Sequence, residues 1–178
     1  MNRLICASLL AVVAALTQNP AAAPALPEVG KPVPAFRLND HTGKVVEIAP
    51  DPKATEGNWT VLAFYPKAFT SGCTQEVCSM RDSAEELLAM GVDVYALSLD
   101  DVSSIAAFAE AEQLNYLLLS DPDGSAARKL GVMMPDKPYT QRVTFVLDEK
   151  RTVRLIDRAV DVAKHGSDLV ATIKKLRG

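Results

Sequence analysis

Cys73 and Cys78, five residues apart, are the residues of this sequence best suited to covalent chemistry. The apolar run Val61–Tyr65 predicts a buried strand that Pro66 ends, and the pattern Thr74–Met90 predicts an amphipathic helix. Cys73 therefore falls in the first turn of that helix, where unpaired N–H groups and the positive end of the helix dipole favour a thiolate over a thiol. Because the thiolate is the reactive form, this position predicts that Cys73 is a nucleophile.

The spacing of the two cysteines limits what they can do together. On an intact helix, Cys73 and Cys78 would lie about 7.5 Å apart along the axis and roughly 140° apart around it. Their Cα atoms would then be about 8 to 9 Å apart, beyond the limit of roughly 7 Å for a disulfide. A static bridge in a segment that is not helical and a pair of inert core thiols remain possible alternatives. We favour a redox pair whose disulfide forms after part of the helix unwinds.

Three polar residues could complete a site around Cys73. Thr70 lies three residues earlier on the same predicted loop, so its hydroxyl can bind a small oxygen-containing substrate or, alternatively, cap the helix. Arg142 begins an apolar strand, where an unpaired guanidinium would be costly. A thiolate beside it, with Glu76 holding the guanidinium in place, would resolve that cost. A surface arginine at a strand end is the alternative, and spacing alone favours it.

The rest of the pattern predicts the elements that position these residues. Alternating strand and helix signals, separated by turn residues, favour an α/β architecture with a mixed central β-sheet flanked by helices. Besides the central strand and the cysteine-bearing helix, the pattern predicts a hairpin of 36–38 and 45–48, strands at 92–98 and 116–119, helices at about 101–113, 125–130 and 166–176, and a second hairpin of 142–147 and 153–156.

The N-terminus has the pattern of a secretory signal peptide. Arg3 supplies a positive flank, Leu4–Leu16 form an apolar run, and Ala21-Ala22-Ala23 offers a cleavage site. The run is shorter than the roughly 20 residues that span a bilayer, and an uncleaved N-terminal helix is the alternative. We therefore expect a signal peptide at 1–23 and a single domain at 24–178. We also expect secretion, most simply to a bacterial periplasm, without stable membrane insertion after cleavage.

The composition is that of a mildly acidic globular chain. It has 19 Lys and Arg residues against 22 Asp and Glu residues, for a net charge of −3. The basic residues are not clustered, so nothing indicates nucleic acid or an anionic membrane surface as a partner. Cys6 would leave with the signal peptide, and the two remaining cysteines allow a disulfide in an oxidising compartment. The compartment alone therefore does not separate a structural bridge from a catalytic one.

Several segments of the chain resemble peroxiredoxins. Pro66-Lys-Ala-Phe-Thr70-Ser-Gly-Cys73 matches the Pro-x-x-x-Thr-x-x-Cys active-site motif of that family. Thr74-Gln-Glu-Val-Cys78, followed by Arg81-Asp82, is similar to the Q-type subgroup, also called bacterioferritin-comigratory proteins. The similarity extends over about residues 30–176 and includes Leu118-Leu-Ser-Asp-Pro-Asp-Gly124, Arg142-Val-Thr-Phe-Val-Leu-Asp148 and His165. The active-site motif and its cysteine spacing are specific, whereas the other matches are individually weak.

This resemblance implies a thioredoxin-like fold and the reduction of hydrogen peroxide or alkyl hydroperoxides by thiols, without metal, haem or flavin. It implies that Cys73 is the peroxidatic cysteine and that Cys78 resolves its sulfenic acid as an intramolecular disulfide. Thr70 and Arg142 would bind the peroxide, Pro66 would shield the pocket, and Glu76 would orient the arginine. The reductant would be a thioredoxin-like protein or another thiol. Subgroup members are often monomers and commonly cytosolic, whereas this chain is expected to be exported.

Two other classes of protein share the expected architecture. A thiol–disulfide oxidoreductase would use Cys-x-x-Cys, whose sulfurs can bond without unwinding a helix, whereas the spacing here is Cys-x4-Cys. A copper-delivery protein would need a histidine near two cysteines, and His165 is the only histidine downstream of them. A lone histidine before the last helix is more often a surface or capping residue.

Overall fold

The computed structural model describes residues 25–178, so the predicted signal peptide at 1–23 lies outside the described residues. Strands and helices alternate through most of this part of the chain. The elements are β1 (Phe36–Asp40), β2 (Val45–Ile48), β3 (Trp59–Phe64), α1 (Ser71–Ala89), β4 (Val92–Ser98), α2 (Val102–Ala111), β5 (Leu117–Ser120), α3 (Ser125–Lys129), β6 (Val143–Leu147), β7 (Val153–Asp157) and α4 (His165–Arg177).

The strands form one mixed sheet in the order β2-β1-β5-β4-β3-β6-β7. The pairs β3–β4 and β4–β5 are parallel, as expected for strands joined through the crossover helices α1 and α2. The pairs β1–β2, β1–β5, β3–β6 and β6–β7 are antiparallel. The prediction of a mixed central sheet with flanking helices is therefore confirmed.

The two faces of β3 pack into separate apolar clusters. On one face, Val61 and Ala63 pack with the buried sides of α1, α2 and α4. On the other face, Leu62 and Phe64 pack with residues of β1 and α3. Each fully buried Val, Leu or Phe side chain stabilises the fold by about 1.5–3 kcal/mol. The strand that leads towards Cys73 is therefore fixed by packing on both of its faces.

The observed element bounds differ from the predicted ones by a few residues at two functional positions. Helix α1 begins at Ser71, three residues before the predicted Thr74, because Thr70 is the last residue with extended backbone (φ −91°, ψ 145°). Strand β6 begins at Val143, so Arg142 lies immediately before it rather than within it. The earlier start of α1 keeps Cys73 in the first turn of the helix.

Among the described helices, none combines the length and apolar character needed to cross a bilayer.

Helices α1 and α4 meet at a close contact between Gly166 and Ser79. The backbone N–H of Gly166 donates to the Ser79 hydroxyl at 3.1 Å. A Cβ atom on Gly166 would overlap the Ser79 carbonyl group, so only glycine allows the two helices to approach this closely. The start of α4 is therefore held against the middle of the cysteine-bearing helix.

Candidate active site

Cys73 is the third residue of α1 and is buried, with 1% of its surface exposed. Its sulfur accepts a hydrogen bond from Arg142 Nη2 at 3.4 Å. The guanidinium and the positive end of the helix both favour a negative charge on this sulfur. Cys73 and Cys78 are both free thiols in the structure. The predicted position of Cys73 in the first turn of a helix is therefore observed, together with a cation beside it.

Arg142 pairs with Glu76, which lies one helical turn after Cys73. Arg142 Nη1 forms an ion pair with Glu76 Oε2, and the Glu76 side chain is fully buried. A buried carboxylate without a partner would be strongly destabilising, so the pair accounts for both charges. The Arg142 side chain is 22% exposed. The alternative of a surface arginine at a strand end is wrong, because this guanidinium bridges the thiol and the carboxylate.

Thr70 occupies the N-cap position of α1, but its hydroxyl does not cap the helix. The hydroxyl donates instead to the carbonyl oxygen of Lys67 at 2.9 Å, within the loop that connects β3 to α1. Thr70 is exposed and Pro66, at the start of this loop, is partly exposed. The N–H groups of the first helical turn therefore have no side-chain cap and can donate to an oxygen atom of a ligand.

The loop between Pro66 and Thr70 is held by contacts from neighbouring elements. The Ala68 N–H donates to Asp100 Oδ2 at 2.8 Å, and the Thr140 hydroxyl donates to the carbonyl oxygen of Tyr65 at 2.7 Å. Phe69 has a positive φ of 61°, and its exposed ring packs on Phe108 with the centroids 4.9 Å apart. A left-handed conformation of a bulky residue costs on the order of 1–3 kcal/mol and persists only where surrounding contacts fix it.

His165 joins the same group of residues, although the sequence indicated a surface or capping histidine. It is buried, with 2% of its surface exposed, and that interpretation is wrong. Its Nδ1 lies 3.1 Å from Glu76 Oε1, and its Nε2 lies 3.1 Å from the Thr144 hydroxyl. Burial lowers the pKa of His165 to about 4, against the opposing effect of the acidic Asp157. No local motif near His165 indicates this contact, because Glu76 is distant in sequence.

Cys78 lies on the same helix in a different environment. Its thiol donates to Glu112 Oε2 at 3.4 Å, and Arg81 Nη1 lies 3.7 Å from its sulfur. Arg81 also donates to the Glu112 carbonyl at 2.8 Å, so these residues connect α1 to the end of α2. Burial and the contact with Glu112 raise the pKa of the Cys78 thiol. The sequence does not single out Glu112 as a site residue, because its only signal is its position at the end of a helix.

The structure brings Cys73, Arg142 and Glu76 together and places Thr70 and Pro66 on the adjoining loop. Within residues 25–178, no three His, Cys, Asp or Glu side chains are arranged to hold a metal ion. His165 contacts a carboxylate and a hydroxyl rather than the cysteine sulfurs. Nothing in the described residues supports the copper-delivery alternative.

Comparisons with known proteins agree on one family. The model of the AhpC/TSA family matches residues 29–156. A putative peroxiredoxin bcp of Haemophilus influenzae is 32% identical over 83% of this chain and 97% of its own length. Peroxiredoxin Bcp of Escherichia coli is 36% identical over 68% of this chain and 79% of its own length. The crystal structure of peroxidoxin BcpB from Mycobacterium tuberculosis superposes with a TM-score of 0.73 at 32% identity, and the match covers 84% of this chain and 98% of that one.

Proposed function

The chain belongs to the AhpC/TSA family, as a thiol-dependent peroxidase of the Q-type peroxiredoxins with a thioredoxin-like fold, and we propose that Cys73 is its peroxidatic cysteine and Cys78 its resolving one. The observation that supports this assignment best is the position of Arg142 Nη2, 3.4 Å from the Cys73 sulfur at the start of α1. Cys78 also has a cation nearby, Arg81 at 3.7 Å, but it lies in the middle of α1 and its thiol donates to the acidic Glu112, which helps to raise the pKa of Cys78. The two thiols are therefore suited to different steps.

In the first step, the Cys73 thiolate attacks one oxygen of the hydroperoxide. A sulfur–oxygen bond forms, the oxygen–oxygen bond breaks, and the leaving alkoxide or hydroxide takes a proton from solvent. The sulfur loses two electrons and becomes a sulfenic acid, while the peroxide is reduced to an alcohol or water. The Arg142 guanidinium and the N–H groups of the first helical turn stabilise the charge that develops on the leaving oxygen.

Thr70 and Pro66 have supporting roles in this proposal. The Thr70 hydroxyl donates its proton to the Lys67 carbonyl, which leaves the hydroxyl oxygen free to accept a hydrogen bond from the peroxide. Pro66 lies where β3 ends and the loop begins, and its ring lacks an N–H, so it limits access of water to the sulfur without adding a donor. Glu76 orients Arg142 through the buried ion pair.

In the second step, Cys78 attacks the sulfenic sulfur and a disulfide forms with loss of water. The two cysteines start on one intact helix, so part of α1 must open before their sulfurs can meet. A dithiol reductant, thioredoxin-like or another thiol, then returns both cysteines to the reduced state by exchange. This cycle needs no metal or organic cofactor.

Peroxide consumption by the purified chain, measured with hydrogen peroxide and an alkyl hydroperoxide against a panel of thiol reductants, tests the proposal. The wild-type protein should turn over many times, and Cys73→Ser should show no activity above the reductant alone. Sustained turnover by Cys73→Ser would refute the assignment. The panel also identifies the reductant class that the chain accepts.

The same proposal includes export and a monomeric state. The residues 1–23 have the signal-peptide pattern described above, and cleavage there would release the domain 24–178 into a periplasm. Expression of the full chain in a Gram-negative host, followed by N-terminal sequencing of the periplasmic fraction, tests the export. A cytoplasmic chain that retains Met1 would contradict the proposed export.

Sedimentation of the reduced and oxidised protein tests the monomeric state, which predicts the mass of a single chain in both forms.

A further inference from the structure

His165 is a buried titratable residue for which the proposed reaction has no role. It is the first residue of α4, and it contacts Glu76 of α1 and Thr144 of β6, each at 3.1 Å. Thr144 also lies only two residues after Arg142 in the chain. Thr144, His165, Glu76 and Arg142 thus form one connected group of side chains. The contacts run from Thr144 to His165, to Glu76, to Arg142 and then to the Cys73 sulfur.

The contacts of the ring assign its tautomer. Glu76 is paired with Arg142 and so is a carboxylate, which can only accept hydrogen bonds. His165 Nδ1, 3.1 Å from Glu76 Oε1, must therefore carry a proton, because an unprotonated Nδ1 would set its lone pair against the carboxylate; the two atoms form a close polar contact without the geometry of a regular hydrogen bond. Nε2 is then free to accept the hydrogen bond of the Thr144 hydroxyl. A neutral ring with the proton on Nδ1 therefore satisfies the Thr144 hydroxyl and keeps a polar N–H, rather than a lone pair, next to the carboxylate.

The carboxylate of Glu76 needs a second partner to keep one orientation. Arg142 forms its ion pair with Oε2, and Glu76 is fully buried, so no solvent is available for Oε1. Without a donor at Oε1, rotation of the carboxylate would exchange its two oxygens and shift the guanidinium. His165 places its Nδ1–H 3.1 Å from Oε1, on a helix whose start is fixed by the contact between Gly166 and Ser79.

We infer that His165, held by Thr144, is a positioning residue that fixes the Glu76 carboxylate and thereby holds the Arg142 guanidinium at the Cys73 sulfur. This inference rests on the proposed peroxidase function. It assigns His165 no contact with the peroxide and no proton transfer in the reaction. Its effect is confined to the distance and direction of the guanidinium from Cys73.

A matched pair of substitutions separates positioning from a general structural role. His165→Asn places an amide N–H near the position of Nδ1 and keeps the donor to Glu76. His165→Gln places its amide near the position of Nε2 and loses that donor. We expect His165→Gln to slow the reaction of Cys73 with hydrogen peroxide by about tenfold, the effect of losing one polar contact to a charged group. His165→Asn should stay within about threefold of the wild type.

In the same variants, we compare the rate of the peroxide reaction with the rate at which iodoacetamide alkylates Cys73. Alkylation uses the same thiolate but has no leaving oxygen for Arg142 to stabilise, so the ratio of peroxide rate to alkylation rate should fall in His165→Gln. Thr144→Val, which leaves Nε2 without a donor, should lower the ratio in the same direction. Thr60→Val removes another buried hydroxyl of the sheet, one that forms no hydrogen bond, and should leave the ratio unchanged.

A measurement on the unaltered protein covers the case in which a variant does not fold. Nitrogen NMR of the His165 ring should show the proton on Nδ1 and an unprotonated Nε2. A proton on Nε2, an unchanged peroxide rate in His165→Gln, or an equal loss in His165→Asn and His165→Gln would each overturn the inference. Failure of the proposed function has a different signature, because the wild type itself would then not reduce peroxide through Cys73.

Discussion

The Gly166 N–H donates to the Ser79 hydroxyl at 3.1 Å, which fixes the start of α4 against the turn of α1 that follows Cys78. Both helices approach so closely here that a methyl group on Gly166 would overlap the Ser79 carbonyl. The same turn of α4 contains His165, which contacts Glu76 on α1. The cysteine-bearing helix is therefore restrained along one side by α4, both at the active site and near Cys78.

We predict that Gly166→Ala destabilises the protein by roughly 1–3 kcal/mol, the usual effect of overpacking a tight contact. The added Cβ would force α4 away from Ser79 and would also shift His165. Urea unfolding followed by circular dichroism measures the change in the free energy of unfolding. Ser167→Ala, at the next and exposed residue of α4, is the matched control and should change it by no more than about 0.5 kcal/mol.

The roles of the two cysteines predict different products in two serine variants. Cys78→Ser should reduce one equivalent of peroxide and then stop, because its Cys73 sulfenic acid has no resolving partner in the chain. Dimedone labelling and mass spectrometry should locate that sulfenic acid at Cys73. A sulfenic acid at Cys78 in the Cys73→Ser variant would reverse the assignment.

Arg142 should act on the peroxide step through its hydrogen bond to Cys73. We expect Arg142→Met to slow the reaction of Cys73 with peroxide by at least about tenfold, as for a lost hydrogen bond to a charged group. Stopped-flow competition against a second peroxidase measures that rate. Arg142→Lys keeps the charge but loses the fork that contacts both Cys73 and Glu76, so it should restore only part of the rate.

Loss of Arg142 also leaves Glu76 as an unpaired buried charge, which by itself is destabilising by about 3–5 kcal/mol. The double substitution Arg142→Met with Glu76→Gln removes both charges and should recover much of that stability without recovering the rate. Arg37→Met, at an exposed ion pair with Glu47, is the control for loss of a surface arginine. A rate for Arg142→Met equal to that of the control would exclude Arg142 from the peroxide step.

The sequence predicts the parts of this site that are local in the chain. Thr70, Cys73 and Glu76 lie on one strand–loop–helix unit, and its apolar run, proline and helical periodicity predict where Cys73 falls. Long-range contacts are different in kind, since no periodicity links Glu76 to His165 or Cys78 to Glu112. These pairs depend on how α4 and α2 pack against α1, which the pattern of each helix alone does not specify. The sequence marks Arg142 only as a candidate, since a residue at a strand end can face either solvent or a neighbouring helix.

The buried state of His165 predicts a dependence of stability on pH. The pKa of His165 falls from an ordinary value of 6.5 to about 4, so the unfolded chain binds the proton more tightly between these values. The stability that depends on neutral His165 is therefore fully present above pH 6.5 and is lost as the pH falls towards 4. The full effect is about 3 kcal/mol, at about 1.4 kcal/mol for each tenfold change in proton affinity.

Besides burial, three charged groups contribute to the pKa of His165. Asp157 of β7 and Asp168 of α4 favour protonation of the ring, whereas Arg142 opposes it. Glu76 Oε1 also faces the ring, 3.1 Å from Nδ1. Urea unfolding at several pH values should show a steeper loss of stability in the wild type than in His165→Asn, which has no titrating ring. Parallel curves for the two proteins would contradict the depressed pKa.

Part of α1 must open to bring Cys78 to Cys73. Reduced protein should protect the amides of residues 74–81 from hydrogen exchange, because they form the backbone hydrogen bonds of α1 from Thr74 onwards, and the disulfide form should exchange them much faster. Equal protection in both forms would mean that Cys78 does not resolve Cys73 by local opening.

Glu112 should control the rate of this opening and of the resolving step. It holds the Cys78 thiol at 3.4 Å and helps to raise its pKa, so Glu112→Ala should release the segment and increase the thiolate fraction of Cys78 at neutral pH. Faster disulfide formation leaves less time for a second peroxide to oxidise Cys73 to the sulfinic acid. Mass spectrometry after excess peroxide should therefore find less sulfinic acid in Glu112→Ala than in the wild type. Glu110→Ala, at an exposed position of α2, is the matched control.

Ser79→Ala should also lower the amount of sulfinic acid. Alanine favours the helix slightly by propensity. The substitution also removes the acceptor of the Gly166 N–H, and this larger effect releases α1 from α4. More sulfinic acid in either variant would show that these contacts promote the resolving step rather than restrain it.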